Sequence, residues 1–236
     1  ALIDTWLASQ GRKAESFNAI ERLCYTGARA MGALEFKPVT GPKKTIAEQV
    51  RIDRLVALAS SILNQRQELK HSFDADETQA LTDILRVGTS AGGARAKAVI
   101  AWNPKSNEVR SGQIQAGDGF EYWLLKFDGV NGNRDKELDD PSGFGGIEYA
   151  YYRMAKDCAI DMSECHLFEE NGRRHFMTRR FDRTQTGEKL HLQSLCAVAH
   201  YDFNQAGAYS YEQAFLIMRQ LGLTMPELEQ QFRRMV

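Results

Sequence analysis

The spacing of apolar residues changes after Arg86, and that change decides the fold class. Before it, Phe17, Ile20, Leu23 and Cys24 recur at helical spacing. Thr45 with Glu48 forms a capping-box pair ahead of a periodic segment over 46–69, and Asp76 with Gln79 a second pair before 81–85. A polar, proline-containing stretch over 37–44 interrupts this helical prelude. After Arg86 the signals are strands. Residues 96–102 predict a strand, 103–107 a turn and 108–115 its antiparallel return, and a third strand follows over 120–127. A polar loop over 128–146 leads into a helix predicted for 147–156, with Glu148 in its first turn. Residues 165–170 and 174–179 flank Asn171-Gly172, a dipeptide suited to a type I′ turn because both central residues need positive φ. Helical patterns return around 191–200, from Ser210 with Gln213 to a stop at Gly222, and from Thr224 with Glu227. Helices, then antiparallel strands, then helices make an α+β protein. The expected division is a helical prelude over 1–86 packed on the core, a sheet-containing lobe over 87–183 and the start of a helical lobe over 184–236.

Composition excludes several function classes. A chain of 236 residues with net charge −1 does not support nucleic-acid binding by bulk charge, and local basic runs such as Arg173-Arg174 and Arg179-Arg180 are the exceptions left open. Cys24, Cys158, Cys165 and Cys196 show no CxxC spacing, which predicts reduced thiols in a cytoplasmic setting. No apolar run reaches membrane-spanning length. The chain opens at Ala1 inside a helix-like pattern over 2–9 and closes on an apolar-basic run over 232–236, so both ends are expected to continue in a longer polypeptide.

The chemistry is carried by the order of the pieces. Gly88, Gly92 and Gly93 lie in VGTSAGGARAK, a loop running straight into the first strand. Glycines there let the backbone approach a phosphate closely. Neither the P-loop nor the GxGxxG pattern is present, so the loop by itself is equally a hairpin-opening turn. Lys126 stands near the end of the otherwise apolar FEYWLLKF, and Glu148 on the next helix is its natural counter-charge. The plain alternatives are an edge-strand lysine reaching to water and a first-turn acid favouring the helix dipole. A glycine-rich loop, a strand lysine and a helix glutamate in this order are what a protein-kinase-like amino-terminal lobe uses to grip ATP.

Other groups read as structural. Cys196 and His200 stand four apart on an expected helix but lack a second ligand pair. Asn131, Asn133 and Asp135 lack the glycine and glutamate of a calcium loop. Tyr149, Tyr151 and Tyr152 are expected to pack in the core, and Asp182 to fix the chain locally.

The segments VGTSAGGARAKAVIAW, YWLLKF and IEYAYYRMA, and above all RRFDR followed by LHLQSLCAVAH, resemble the HipA-type serine/threonine kinases, toxin components of bacterial toxin–antitoxin systems. ALIDTWLASQG and MGALEF are similar to that family as well. The resemblance implies a HipA-type kinase lobe in which Lys126 contacts ATP phosphates and Glu148 pairs with it. Gly88, Ser90, Gly92, Gly93 and Lys97 would cover the phosphates, and the backbone from Arg179 to Phe181 would form the hinge that meets adenine. Ser90, with Thr89 beside it, matches the loop serine whose autophosphorylation switches the family off, since a phosphate there repels ATP. Where the family often has an acidic hinge residue this chain has Arg179. The catalytic aspartate, its asparagine and the aspartate that holds Mg2+ lie in the family just past a segment like 232–236. This chain alone is therefore expected to bind ATP weakly and to transfer no phosphoryl group. The resemblance further implies a protein substrate among translation components, such as an aminoacyl-tRNA synthetase, and a small DNA-binding antitoxin of the HipB type as partner. The alternative is a catalytically inactive module that binds nucleotide or antitoxin.

Overall fold

The computed structural model describes residues 7, 11–41, 49–56, 97–130, 142–202 and 204–236. The first helix, α1 (Ala19–Thr26), starts where the sequence marks it: Asn18 and Glu21 exchange side-chain and backbone hydrogen bonds in a full capping box. Its buried anchors differ from the expected set. Phe17, just before the cap, and Tyr25 are buried edge to face at 6.1 Å, whereas Ile20 and Leu23 are exposed. Arg22 lies over the Phe17 ring, filling the position where a hydrophobic staple would sit. Residues 52–56 form a helical stretch with Ile52, Leu55 and Val56 buried. The capping pairs Thr45/Glu48 and Asp76/Gln79 lie outside the described residues.

The strands are β1 (Lys97–Asn103), β2 (Glu108–Ser111), β3 (Glu121–Lys126), β4 (Cys165–Glu170) and β5 (Arg173–Arg179). They form one antiparallel sheet in the order β2-β1-β3-β5-β4. The α+β reading with an antiparallel sheet flanked by helices therefore holds. Asn171 and Gly172 both take positive φ, as the turn between β4 and β5 requires. β2 is shorter than the predicted return. The chain bends at Gly112, whose Cα lies so close to the Ile100 backbone that a Cβ would fall 2.5 Å from its carbonyl oxygen.

Alternation along the strands sorts the two faces. Ala98, Ile100, Trp123, Leu125 and Met177 share a core with Leu7, Phe17, Tyr25, Ile52, Leu55 and Val56. These described amino-terminal side chains are thus packed against one face of the sheet. Lys97, Lys126 and Phe176 are directly opposite one another in register and belong to the other face.

Helix α2 (Phe144–Asp157) packs on β4 and β5. It begins three residues before the predicted start, so Glu148 sits in its second turn instead of its first. Gly145 and Gly146 read as loop in the sequence. In the fold Gly145 faces the Arg174 carbonyl at a distance that leaves no room for a Cβ. The tyrosines are not core: Tyr149 and Tyr152 touch each other half-buried, and Tyr151 is 66% exposed. The glycine edge brings the helix against the sheet and leaves them outside.

After β5 the chain runs extended through a bridge between Arg183 and Lys189, and Leu190 N–H donates to the Asp182 carbonyl. The helix predicted over 191–200 is for that reason confined to α3 (Leu195–Ala199), capped by Ser194 and closed by His200 in the left-handed region. α4 (Tyr211–Gln220) and α5 (Met225–Met235) start at the predicted capping boxes of Ser210/Gln213 and Thr224/Glu227. No helix among the described residues is long and apolar enough to cross a membrane.

Candidate nucleotide site and interlobe fastener

Lys126 ends β3 and Glu148 lies in the second turn of α2, and the fold brings them together with Nζ 2.6 Å from Oε2. Both side chains keep partial solvent contact, 34% and 23% exposed. The ammonium also lies 5.8 Å from the Phe176 ring centroid, a cation–π contact. Lys97, read from the sequence as the end of the covering loop, is the first residue of β1 and the cross-strand partner of Lys126. It is buried. Burial and, next, the neighbouring Lys126 lower its proton affinity, while Glu148 acts in the opposite sense. Directly opposed lysines repel, and the Glu148 carboxylate offsets part of that repulsion. Gly88, Ser90, Gly92 and Gly93 lie outside the described residues. In the sequence they precede Lys97, the first residue of β1.

The expected hinge is built from RRFDR. Arg179 is part-exposed between Glu164, 3.0 Å away, and Glu121, 3.6 Å away, so its charge is committed to carboxylates. Phe181 projects outward, 69% exposed. The N–H of Arg179 donates to the Glu164 carbonyl and that of Arg180 to Tyr122. A cavity of about 110 Å³ opens beside this segment between Glu121, Tyr122, Arg179, Arg183 and Thr184.

The same motif holds a buried network. Asp182 is 1% exposed and accepts from Arg180 Nε and Nη2, each at 2.8 Å, from Arg183 Nη1 at 2.9 Å and from the Gly32 N–H at 2.7 Å. Arg180 also donates to the Gly112 carbonyl and Arg183 to that of Gly32. Burial by itself raises the Asp182 pKa. The Arg180 hydrogen bonds, the Gly32 N–H and the two guanidinium charges outweigh it and hold the carboxyl below the usual range. Lys189 adds a second tie to the amino-terminal segment through the Ala28 carbonyl and Glu35.

Residues 89–236 match the family model of the HipA-like C-terminal domain. The chain belongs to that HipA family. Its α+β architecture, an antiparallel sheet flanked by helices, is the HipA type. Among solved structures it is similar to HipA in a Shewanella oneidensis MR-1 toxin–antitoxin complex with HipB and operator DNA, at 16% identity and a TM-score of 0.44. The alignment covers 83% of this chain and 40% of that one, so this chain spans less than half the length of that HipA. No curated protein matches it significantly.

Of the residues expected at the HipA-type site, the fold brings Lys97, Lys126 and Glu148 together and sets Arg179 at the end of β5, between β3 and β4, with Phe181 just past it. Sequence reasoning missed two elements. Arg180 and Arg183 carry no periodicity, although two arginines flanking Phe181-Asp182 were the available sign of a buried pair. The other missed group is Asp128 with His175. The Asp128 carboxylate accepts from Gly143 N–H at 2.9 and 3.0 Å and from Gly145 N–H at 3.3 Å. Its own N–H donates to Nδ1 of fully buried His175 at 3.0 Å. No local pattern announces a cap that comes from the end of another element.

Proposed function

We propose that the chain forms the nucleotide-gripping part of an ATP-dependent serine/threonine kinase of the HipA toxin type. The observation that carries this reading is the Lys126–Glu148 pair on the sheet face that also bears Lys97. A part-exposed pair of this kind contributes only about 0–1 kcal/mol to stability, so holding the fold together is a poor account of it. Orienting a cation toward a phosphate is a better one. Glu148 fixes Lys126 by one charge-assisted hydrogen bond, and the remaining ammonium hydrogens suit phosphate oxygens. Lys97, opposite, adds a second basic side chain on the same face. The backbone near Arg179 to Phe181 meets adenine in this reading, with the Arg179 side chain held aside by Glu121 and Glu164.

Phosphoryl transfer would need an aspartate to accept the hydroxyl proton and carboxylates for Mg2+, which by family analogy follow Val236. Among the described residues no group of three or more His, Cys, Asp or Glu side chains is placed to hold a metal. Ser90 is proposed as the autophosphorylated switch, a translation component such as an aminoacyl-tRNA synthetase as substrate, and a HipB-type antitoxin as protein partner in the cytoplasm. The second reading, for the isolated polypeptide, is binding of nucleotide or antitoxin without catalysis.

The test is direct. A polypeptide extended past Val236 should phosphorylate itself and a protein substrate, Lys126→Ala should remove most of that activity with the fold intact, and Ser90→Ala should remove the loop phosphate seen by mass spectrometry. Full activity in Lys126→Ala would refute the role assigned to that lysine.

A further inference from the structure

We infer that Asp128 and His175 are positioning residues that set helix α2 so that Glu148 meets Lys126. The inference rests on the nucleotide reading only for its consequence, since the geometry stands without it. Helix α2 has no side-chain cap of its own: its N-cap is Gly143, at φ 116°. Of the N–H groups that a helix start leaves unpaired, those of the N-cap Gly143 and of Gly145 are satisfied from outside, by the Asp128 carboxylate. Asp128 lies two residues past Lys126 on the same run of chain. A closed circuit results. Lys126 leads along the backbone to Asp128, Asp128 binds the first turn of α2, and α2 presents Glu148 back to Lys126 at 2.6 Å. With Asp128 gone, the helix keeps the Gly145 contact with β5 but loses its tie to the end of β3.

His175 completes the circuit from β5. Its Nδ1 accepts the Asp128 N–H, which puts the ring's own proton on Nε2. Nε2 is buried without a hydrogen-bond partner, and the nearest carboxylate, Glu170 at the end of β4, is 3.6 Å away. Phe127 packs edge-on against the ring at 5.9 Å. The charged groups around it are Glu170 from β4, Asp128 from the segment after β3 and Arg173 from the start of β5. Burial pushes the histidine below its ordinary range, although Glu170 and Asp128 pull it up and Arg173 adds to the depression. A proton arriving on Nδ1 would face the Asp128 N–H and remove the bond that fixes Asp128.

The experiment reads Lys126 itself. The side-chain ammonium and Cε resonances of Lys126 are assigned by NMR in wild type, Glu148→Gln, Asp128→Ala and Asp128→Asn, and Mg·ATP affinity is measured on the same samples. Asp128→Ala should move the Lys126 signals to the Glu148→Gln position and weaken ATP by the same factor. Asp128→Asn keeps an acceptor oxygen without the charge, so it should give an intermediate shift, and it carries the test if Asp128→Ala does not fold. Lys126 signals unchanged from wild type in the folded Asp128 variants would overturn the inference. Signals that follow Asp128 while wild type fails to bind ATP would uphold the positioning role and refute the nucleotide reading instead. For the histidine, an acid-side shift of the Lys126 signals in wild type should vanish in His175→Asn, whose amide oxygen accepts the Asp128 N–H without titrating. Persistence of that shift would remove His175 from the circuit.

Discussion

Two ion-pair clusters flank the same sheet and are built on opposite principles. Asp182 is closed off: four donors converge on its two oxygens, and Arg180 and Arg183 spend further hydrogens on the Gly112 and Gly32 carbonyls. Lys126 and Glu148 share one hydrogen bond at the edge of solvent. A carboxylate with filled acceptor capacity has nothing to offer a ligand, and its cost of desolvation is offset only while all its partners stay. A lysine with one committed hydrogen has capacity to spare. The first cluster fastens the segment around Gly32 to the chain leaving the sheet, and the second is suited to binding.

The sharpest way to break this contrast is to treat both clusters alike. Asp182→Ala leaves two buried guanidinium groups without their carboxylate and should cost about 3–5 kcal/mol, read as a lower urea midpoint. A loss below about 1 kcal/mol would show that the network is not a fastener. Gly145→Ala comes next, because a Cβ there would lie 1.9 Å from the Arg174 carbonyl oxygen, a backbone atom with little freedom to yield. About 1–3 kcal/mol of overpacking is expected, together with a displaced Lys126 resonance as α2 backs away from the sheet. Lys126→Met should change stability by less than about 1 kcal/mol in the same urea experiment, since the pair is part-exposed. A loss as large as that of Asp182→Ala would erase the distinction between the clusters.

Acidity separates them again. The folded-state pKa of His175 lies below its ordinary value of about 6.5, so the unfolded chain takes up that proton first. The histidine's contribution is complete above that value and is lost as pH falls from it toward the depressed folded pKa. Asp182 is depressed as well, so its contribution persists above the ordinary aspartate range and is lost at lower pH, as the medium falls through its folded pKa. A urea series at descending pH should therefore show an early loss that His175→Asn abolishes and a later one that it does not.

Much of this arrangement was legible in the sequence where the determining contacts are local. Asn171-Gly172 and the boxes at Ser210 and Thr224 each act within a few residues, and each marks an element in the fold, whereas the change of period after Arg86 lies outside the described residues. Lys126 with Glu148 was legible because a cation in an apolar strand demands a counter-charge. What was not legible depends on distant partners. The early start of α2 depends on Asp128, the loss of helix before Leu195 on the Arg183–Lys189 bridge, and the buried state of Asp182 on the N–H of Gly32, 150 residues away. The glycine-rich segment with Ser90 falls outside the described residues, and its role rests on the family resemblance.

The central claim is that the Lys126–Glu148 face grips a nucleotide, and calorimetric titration of Mg·ATP into the wild-type chain and into Lys126→Met tests it most directly. The account predicts saturable binding to wild type, weakened about tenfold or more in the variant, which would correspond to at least ~1.4 kcal/mol of binding free energy. Equal affinity for the two proteins, or no binding to wild type, would contradict it.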